Sequence, residues 1–255
     1  MRWTLLLDAP RPGFENMALD AALLDQACEE GAAFLRLYRW EPHCLSFGRH
    51  EPALRRYDCE RIHSLGLDCV RRPTGGRAVW HARELTYAVA APLAAFGGLR
   101  HAYGAIHGLL ASALRSLGLH PLLAPRYSLT PRVSAGPCFS APVGGEVLVD
   151  GRKVIGSAQL RQGDAFLQHG SLLLEDDQAL VRSLAGLSEE GGAEAPLGRL
   201  LGRAVSFDEA ADAIAECAQP LFEPVERIDS IPPRITAAAR RHEERFRSAD
   251  WTWQR

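Results

Sequence analysis

Lys153, in the stretch "VDGRKVIGSAQ" at residues 149–159, is the only lysine of the chain. Lysines and arginines together number 29, so every other side chain of these two types is arginine. Lysine is normally among the commonest residues, and a general preference for arginine would act on position 153 as well. An ammonium is a compact point charge that can lose its proton, which a guanidinium is not. Two interpretations stay open at this point: position 153 requires an ammonium, or the lysine is a chance survivor at a hairpin, which this residue alone favours.

Cys138 lies shortly before this lysine, in the loop "GPCFSAP", with proline on both sides. A thiol in a turn near a cation can have a lowered pKa and act as a nucleophile. The alternative is a buried structural thiol, which is the commoner fate of cysteine. The other five cysteines form no CxxC pair and no regular spacing, so the sequence indicates neither a zinc site nor a disulfide framework. Most of the six cysteines are expected to be small core residues, because Cys28 and Cys217 lie in helical patterns and Cys44 and Cys69 in short apolar runs.

The stretch "RRPTGGRAVWH" at residues 71–81 is a candidate anion-binding turn. Glycines let backbone N–H groups approach an anion closely, and arginines add charge-assisted hydrogen bonds to phosphate or carboxylate. The alternative is a hairpin turn with solvated charges. The GxxxxGK[ST] spacing of a P-loop is absent. The candidate substrate-binding residues here are Arg71, Arg72, Gly75, Gly76 and Arg77.

Small residues follow the lysine, and two histidines stand at predicted strand ends. Gly156, Ser157 and Ala158 would let a ligand lie against their strand. His81 and His169 are candidate polar groups of the site, although a single histidine is more often an ordinary hydrogen-bonded one. "HEPAL" and "HEERF" both lack the second histidine of HExxH, and no metal site is expected.

A hairpin is predicted to hold the lysine. "EVLV-DG-RKVI" places two β-branched runs around Asp-Gly, the favoured type I′ turn, and this register sets Lys153 opposite Leu148. Other strands are predicted near 33–40, 43–48, 68–72, 77–81, 85–90 and 165–174. Helices are predicted from an N-cap at Asn16 to Gly31, from Pro52 to Gly66, up to Gly118, after a Ser206–Glu209 capping box, and over 235–248. These elements predict an α+β fold, a mixed and mainly antiparallel sheet flanked by helices.

Length and charge argue against several classes of function, although they leave open a local basic patch. A net charge of −2 and a pI near 6.5 give no global electrostatic reason to expect nucleic acid or an anionic membrane as a partner. The N-terminal apolar run is too short for a signal peptide, and the longest uncharged run is too short to span a membrane, so a cytoplasmic location is expected. We expect one domain over residues 1–255, in which 186–255 form a C-terminal helical part after the exposed linker "EEGGAEAP".

In this order, the motifs "NMALD", "RRPTGGRAVWH", "ELTY", "CFSAP", "EVLVDGRKVIGSAQLR" and "QHGSLLL" resemble the biotin/lipoate protein ligase superfamily, and within it the lipoate-ligase-like protein N-octanoyltransferases. The resemblance implies a biotinyl/lipoyl protein ligase-like catalytic domain. The family's Cys-Phe-x-x-Pro pattern falls on Cys138, and its Lys-x-x-Gly-Ser-Ala pattern on Lys153. Arg77 stands where the ATP-dependent ligases have a third glycine. Two further departures are Ala82, where the pattern has aspartate, and Glu51, where it has glutamine.

The resemblance implies a two-step acyl transfer without ATP. Cys138 would accept an octanoyl group from octanoyl-acyl carrier protein as a thioester, and Lys153 would stabilise the thiolate and the developing oxyanion. A lysine of the glycine cleavage H protein, or of a lipoyl domain of a 2-oxoacid dehydrogenase, would then attack the thioester. No cofactor is expected.

Three alternatives remain open. They are an ATP- and magnesium-dependent lipoate–protein ligase, a lipoyl amidotransferase acting between lipoyl domains through the same cysteine, and a non-catalytic module that binds acyl carriers or lipoyl domains.

Overall fold

Strands and mostly short helices alternate along the chain in the computed structural model, which describes residues 1–124, 145–175, 178–188, 194–223 and 225–254. The strands are β1 (Trp3–Leu7), β2 (Ala33–Tyr38), β3 (Cys44–Phe47), β4 (Asp68–Arg71), β5 (Val79–His81), β6 (Glu84–Pro92), β7 (Leu122–Leu123), β8 (Val147–Val149), β9 (Arg152–Lys153), β10 (Ile155–Gln162), β11 (Ala165–Leu173) and β12 (Val225–Ile228). The helices are α1 (Gly13–Glu30), α2 (Ala53–Arg56), α3 (Cys59–Ser64), α4 (Leu99–Ser116), α5 (Ala179–Leu184), α6 (Leu197–Leu201), α7 (Phe207–Ala218), α8 (Pro233–Arg247) and α9 (Ala249–Thr252), with a 3₁₀ turn at Leu93–Ala95.

The central sheet has six strands in the order β10-β11-β6-β2-β1-β12. The pairs β10–β11, β11–β6 and β6–β2 are antiparallel, whereas β1 runs parallel to both β2 and β12. The sheet is therefore mixed and mainly antiparallel. This arrangement confirms the predicted α+β class.

Each face of this sheet packs against its own pair of helices, because successive side chains of a strand point to opposite sides. One face carries Leu35 and Tyr87 and packs against α4 and α7. The other face carries Phe34 and Ala88 and packs against α1 and α8. Met17 of α1 is fully buried in the same cluster. We call the face that packs against α1 and α8 the α1 face, and the face that packs against α4 and α7 the α4 face.

The predicted lysine hairpin is present. Leu148 pairs with Lys153 and Val149 with Arg152 across β8 and β9. Asp150 and Gly151 have φ angles of 51° and 74°, the positive values that a type I′ turn requires at both central positions. β7 completes a small three-stranded sheet with these two strands.

A second small sheet, in the order β4-β3-β5, presents the stretch "RRPTGGRAVWH". Phe47 of β3 pairs with Arg71 at the end of β4, and Cys44 pairs with His81 at the end of β5. The Pro-Thr-Gly-Gly turn therefore connects two strands that flank β3.

The first helix begins earlier than the sequence predicts. α1 starts at Gly13 with Pro12 as its N-cap, and Asn16 lies fully buried inside the helix, so the predicted N-cap at Asn16 is wrong. The amide of Asn16 instead donates to the carbonyls of Arg11 and Arg39, a tertiary use that the local pattern does not reveal. Gly31 ends the helix at φ 67°, as predicted.

The helix predicted from Pro52 to Gly66 is divided into α2 and α3. Asp58 interrupts it and caps α3, because its carboxylate accepts the N–H of Arg61.

The linker prediction is wrong for residues 194–196, which are buried. Glu194 forms an ion pair with the buried Arg182, and the N–H of Ala195 donates to the carbonyl of Lys153. The remainder of this stretch, residues 189–193, lies outside the described residues.

Across the described parts of the chain, none of the helices combines the length and the apolar character that crossing a membrane requires.

Candidate functional site

A cavity of about 340 Å³, part of it open to solvent, lies on the α1 face of the central sheet. Apolar and aromatic side chains form much of its wall: Met17, Tyr38, Trp40 and Val79. Polar side chains and a strand of small residues complete the lining: Arg72, Thr86, His81, His169, Ser171, Gly156, Ser157, Ala158 and Gly170. The cavity thus brings together Arg72, His81, Gly156, Ser157, Ala158 and His169, six of the residues predicted to bind substrate.

Strand β10 forms the wall against which a ligand can lie most closely. Its register pairs Gly156 with Ser171 and Ala158 with His169, which places these residues on the α1 face. Gly156 has no side chain and Ala158 only a methyl group, so the backbone of β10 stays accessible to a ligand.

His169 joins this wall to the Pro-Thr-Gly-Gly turn. Its Nε2 lies 2.5 Å from Oγ1 of Thr74, and its Nδ1 lies 3.0 Å from Oδ2 of Asp20. Asp20 also accepts from Arg36 Nη1 at 2.8 Å and from the hydroxyl of Tyr38 at 2.9 Å. Because a carboxylate accepts the proton of Nδ1, the Nε2 of His169 accepts the hydroxyl proton of Thr74. The buried ion pair therefore orients both the imidazole and the turn.

Arg72 holds the same turn from the other side. Its Nη2 donates to the carbonyls of Gly75 and Arg77, at 3.3 and 2.8 Å. A Cβ on Gly48 would lie 1.9 Å from the carbonyl oxygen of Gly76, so the turn packs directly on the Gly48 backbone. Among the described residues other than its two chain neighbours, no atom lies within 4 Å of the point where a Cβ of Gly75 would stand. Gly75, Gly76 and Arg77 thus border the cavity without being part of its lining, and Gly75 leaves room for a ligand to approach.

Arg71 does not face the cavity. Its guanidinium is fully buried and donates to backbone carbonyls on two distant segments, those of Gly48 and Glu51 and those of Trp251 and Gln254. This arrangement corrects the prediction that Arg71 contacts substrate. Its role is to fasten the C-terminal segment to the loop after β3.

His81 is enclosed by aromatic and polar neighbours. Its ring stacks on Trp40 with centroids 4.1 Å apart, and its Nε2 lies 2.6 Å from the hydroxyl of Ser46. Nδ1 lies 3.4 Å from a carboxylate oxygen of Glu84. Burial lowers the pKa of His81. His81 is therefore a neutral hydrogen-bonding group at the cavity wall.

Lys153 is buried beside the cavity strand and is not among the lining residues. Only 4% of the residue is exposed, and its Nζ lies 2.7 Å from Oε1 of Glu146, which is itself buried. The hairpin, the Glu146 carboxylate and the 194–195 segment together fix the lysine three residues before Gly156. At about 3.3 Å per residue, its Cα is about 10 Å along the chain from that end of the cavity.

Cys138 lies outside the described residues. Of the other cysteines, Cys44 is fully buried, and burial raises the pKa of its thiol. Burial likewise raises the pKa of Cys69 to about 12. Both are therefore protonated and poorly reactive near neutral pH. Cys28 is exposed, contrary to its expected place in the core.

Several lining residues were missed by the sequence analysis. Met17, Tyr38 and Trp40 read as core positions, since an apolar residue that lines a cavity has the same local pattern as one that packs. The motifs "NMALD" and "ELTY" were the available signal, because they contain Met17 and Thr86. Among the described residues, no group of three or more His, Cys, Asp or Glu side chains is placed to hold a metal ion.

Comparison with known proteins gives a consistent family. Residues 12–219 match the model of the lipoyl protein ligase A/B catalytic domain. The chain is 41% identical over 179 residues to an octanoyltransferase LipM of Carboxydothermus hydrogenoformans, covering 69% of this chain and 66% of that protein. It is 34% identical over 283 residues to an octanoyltransferase LipM of Geobacillus kaustophilus, covering 99% and 98%.

The fold is also found among solved structures. A protein described as a putative lipoate protein ligase from T. acidophilum with bound lipoic acid superposes with a TM-score of 0.79. The match covers 99% of this chain and 100% of that one at 20% identity. At this identity the likeness establishes the architecture.

Proposed function

Because the chain belongs to the lipoyl protein ligase A/B catalytic domain family and is an acyltransferase, we propose that it moves an octanoyl group from octanoyl-acyl carrier protein to a lysine of a lipoyl-accepting protein. The observation that carries this proposal is the relationship to octanoyltransferases, one of which is matched over 98% of its length. The α1-face cavity supports it with an apolar and aromatic lining that also contains several polar side chains.

In the proposed complex the acyl chain occupies the apolar part of the cavity. Met17 and Val79 offer aliphatic contact there, and burial of each methylene stabilises binding by about 0.8 kcal/mol. The open backbone of β10 at Gly156 and Ala158 lies along the chain's path. The carbonyl end then points toward the Pro-Thr-Gly-Gly turn.

The first chemical step forms an acyl-enzyme. The thiolate of Cys138 attacks the thioester carbonyl, the bond to the phosphopantetheine sulfur breaks, and that sulfur leaves as a thiol after taking up a proton. In the second step the neutral amine of the acceptor lysine attacks the new thioester, loses its proton and releases the Cys138 thiolate. An amide is more stable than a thioester, so neither ATP nor magnesium is required.

Lys153 is proposed to stabilise the negative charge in both steps. Its ammonium is held 2.7 Å from Oε1 of the buried Glu146. Holding this charge in a buried position before substrate arrives removes the cost of reorganising solvent around the oxyanion. Backbone N–H groups of the turn at Gly75 and Gly76 are proposed to assist.

Intact-mass spectrometry tests the proposal directly. The protein is mixed with octanoyl-acyl carrier protein in the absence of ATP, and one added octanoyl group is expected. Cys138→Ser is expected to lose this adduct, whereas Cys28→Ser, at an exposed thiol, serves as the matched control and is expected to keep it.

The other outcomes identify the alternatives. An absolute requirement for ATP with free octanoate or lipoate would make the protein a ligase. Transfer from octanoylated H protein, but not from the carrier protein, would make it an amidotransferase. Tight binding of either partner with no acyl-enzyme and no product would make it a binding module. Comparing H protein with an isolated lipoyl domain as acceptor then identifies the preferred partner.

A further inference from the structure

A chain of buried hydrogen bonds crosses the central sheet on the α4 face, opposite the cavity. Tyr87, Gly170 and Ser157 are register partners on β6, β11 and β10. A Cβ on Gly170 would lie 2.8 Å from the ring of Tyr87 and 2.7 Å from the hydroxyl of Ser157. Because Gly170 has no side chain, the Tyr87 hydroxyl reaches over it to Ser157 Oγ, at 2.7 Å.

The direction of this chain is fixed at one end by two amides. Gln159 Nε2 donates to the carbonyl of Leu99 at 3.1 Å and to Oε1 of Gln168 at 2.9 Å. Gln168 therefore presents its Nε2, which donates to the hydroxyl oxygen of Tyr87 at 2.9 Å. Tyr87 donates its own proton to Ser157 Oγ provided that Ser157 gives its proton to a further acceptor.

His107 of α4 receives that proton. Its Nε2 lies 2.9 Å from Ser157 Oγ, and its Nδ1 lies 2.7 Å from the carbonyl oxygen of Gly145. A carbonyl only accepts, so Nδ1 carries the hydrogen and Nε2 is the acceptor. Burial, with a smaller contribution from the Lys153 charge, lowers the pKa of His107 to about 4. The neutral Nδ1–H tautomer therefore satisfies both contacts.

The two partners of His107 lie on either side of Lys153 along the chain. Gly145 directly precedes Glu146, whose carboxylate holds the Lys153 ammonium at 2.7 Å. Ser157 follows Lys153 by four residues and lies at the cavity wall. His107 thus joins the segment that anchors the ammonium to the strand that borders the cavity.

We propose that His107 is a positioning residue for Lys153: its Nδ1–H bond to Gly145 keeps Glu146 and the lysine ammonium in register with the cavity strand. This inference rests on the proposed function, in which Lys153 stabilises the reacting carbonyl. A displacement of about 1 Å in such a group can cost on the order of 100-fold in rate.

Two conservative variants each retain one of the two hydrogen bonds that the His107 imidazole makes. His107→Asn places an amide nitrogen near the position of Nδ1 and retains a donor to Gly145. His107→Gln places its amide near Nε2, where it can bond to Ser157 and leaves the Gly145 carbonyl without this donor. We expect the first-order rate of acyl-enzyme formation to fall roughly 10- to 100-fold in His107→Gln and to stay within about threefold of wild type in His107→Asn. The donor concentration at half-saturation is expected to stay unchanged in both.

Tyr87→Phe is the matched control, because it removes a hydroxyl from the same buried chain and leaves the His107–Gly145 bond in place. Its rate is expected within about threefold of wild type. Equal rates for His107→Asn and His107→Gln, or an equal loss in Tyr87→Phe, would overturn the proposal.

Histidine ¹⁵N NMR on the wild-type protein supplies a test that needs no active variant. The His107 signals, assigned by their loss in His107→Asn, are expected to show the Nδ1–H tautomer between pH 5.5 and 8, and an Nε2–H tautomer would refute the proposal. Failure of the proposed function has a different signature, since wild-type protein would then form no adduct with octanoyl-acyl carrier protein at all.

Discussion

Replacement of Lys153 by arginine tests the central chemical argument with the smallest change of charge. If position 153 needs only a cation, Lys153→Arg should be nearly silent, as surface substitutions change stability by about 0.5 kcal/mol or less. The structure excludes a solvated position, because only 4% of Lys153 is exposed. The larger, planar guanidinium must therefore be accommodated in packed protein, next to the Glu146 carboxylate.

We expect Lys153→Arg to have two separate effects, one on the free energy of unfolding and one on the rate of acyl transfer. Overpacking a buried site costs about 1–3 kcal/mol of unfolding free energy. Loss of a well-placed oxyanion donor lowers the rate by about 10² to 10³, which corresponds to about 2.7–4 kcal/mol in the barrier. We therefore expect a modest loss of stability and a much larger loss of acyl transfer.

Rapid-quench measurement of acyl-enzyme formation and urea denaturation report these effects independently. Lys153→Met with Glu146→Gln is a useful companion variant. The single change Lys153→Met leaves Glu146 buried without its partner ammonium, which costs about 3–5 kcal/mol, whereas the double change removes both charges. The double variant should regain stability but not activity. An arginine variant that transfers octanoate at the wild-type rate would refute the assigned role of the ammonium.

Three further predictions concern the framework of the site. The pKa of His107 is about 4 in the folded protein and near 6.5 in the unfolded chain, so the unfolded state binds a proton more readily as the pH falls. The free energy of unfolding should therefore fall by up to about 3 kcal/mol between pH 6.5 and 4. Urea titrations at a series of pH values should show a shallower fall in His107→Asn. Arg71→Ala should destabilise the protein by about 3 kcal/mol or more, because several buried carbonyls lose their donor, whereas Arg83→Ala, at an exposed ion pair, should change denaturation midpoints little. Gly170→Ala should cost about 1–3 kcal/mol and slow acyl transfer, since its methyl group would meet the carbonyl oxygen of Gly156 on the cavity strand; an unchanged melting temperature would contradict the described packing.

Local signals predicted the part of the site that local chemistry determines. The Asp-Gly pair between β-branched runs was enough to place Lys153 opposite Leu148, since a type I′ turn fixes hairpin register. The run Gly156, Ser157 and Ala158 was enough to indicate a strand that a ligand can approach. Such features depend on a few neighbouring residues and can be read without knowledge of the fold.

Roles that depend on distant partners could not be read in the same way. Arg71 and Arg72 are neighbours in one basic motif, yet the first fastens the C-terminal segment and the second holds the cavity turn. Strand alternation sends their side chains in different directions, and only the tertiary packing shows what each one meets. His107 gave no signal at all, because a histidine within an amphipathic helix has the same local pattern whether or not it is part of a site.

The register of β10 decides which of its side chains face the cavity and which lie on the opposite face of the sheet. Gly156 and Ala158 face the cavity, whereas the Ser157 hydroxyl bonds on the opposite face to His107. A shift of one residue would exchange these faces, placing a hydroxyl in the cavity and removing the acceptor of the Tyr87 proton. This register is held by the antiparallel pairing of β10 with β11, which runs from Ile155–Leu172 to Gln162–Ala165 across the tight turn at Gly163 and Asp164. A buried polar chain on the α4 face therefore matters to a cavity on the α1 face, because the register of β10 decides which of its side chains each face receives.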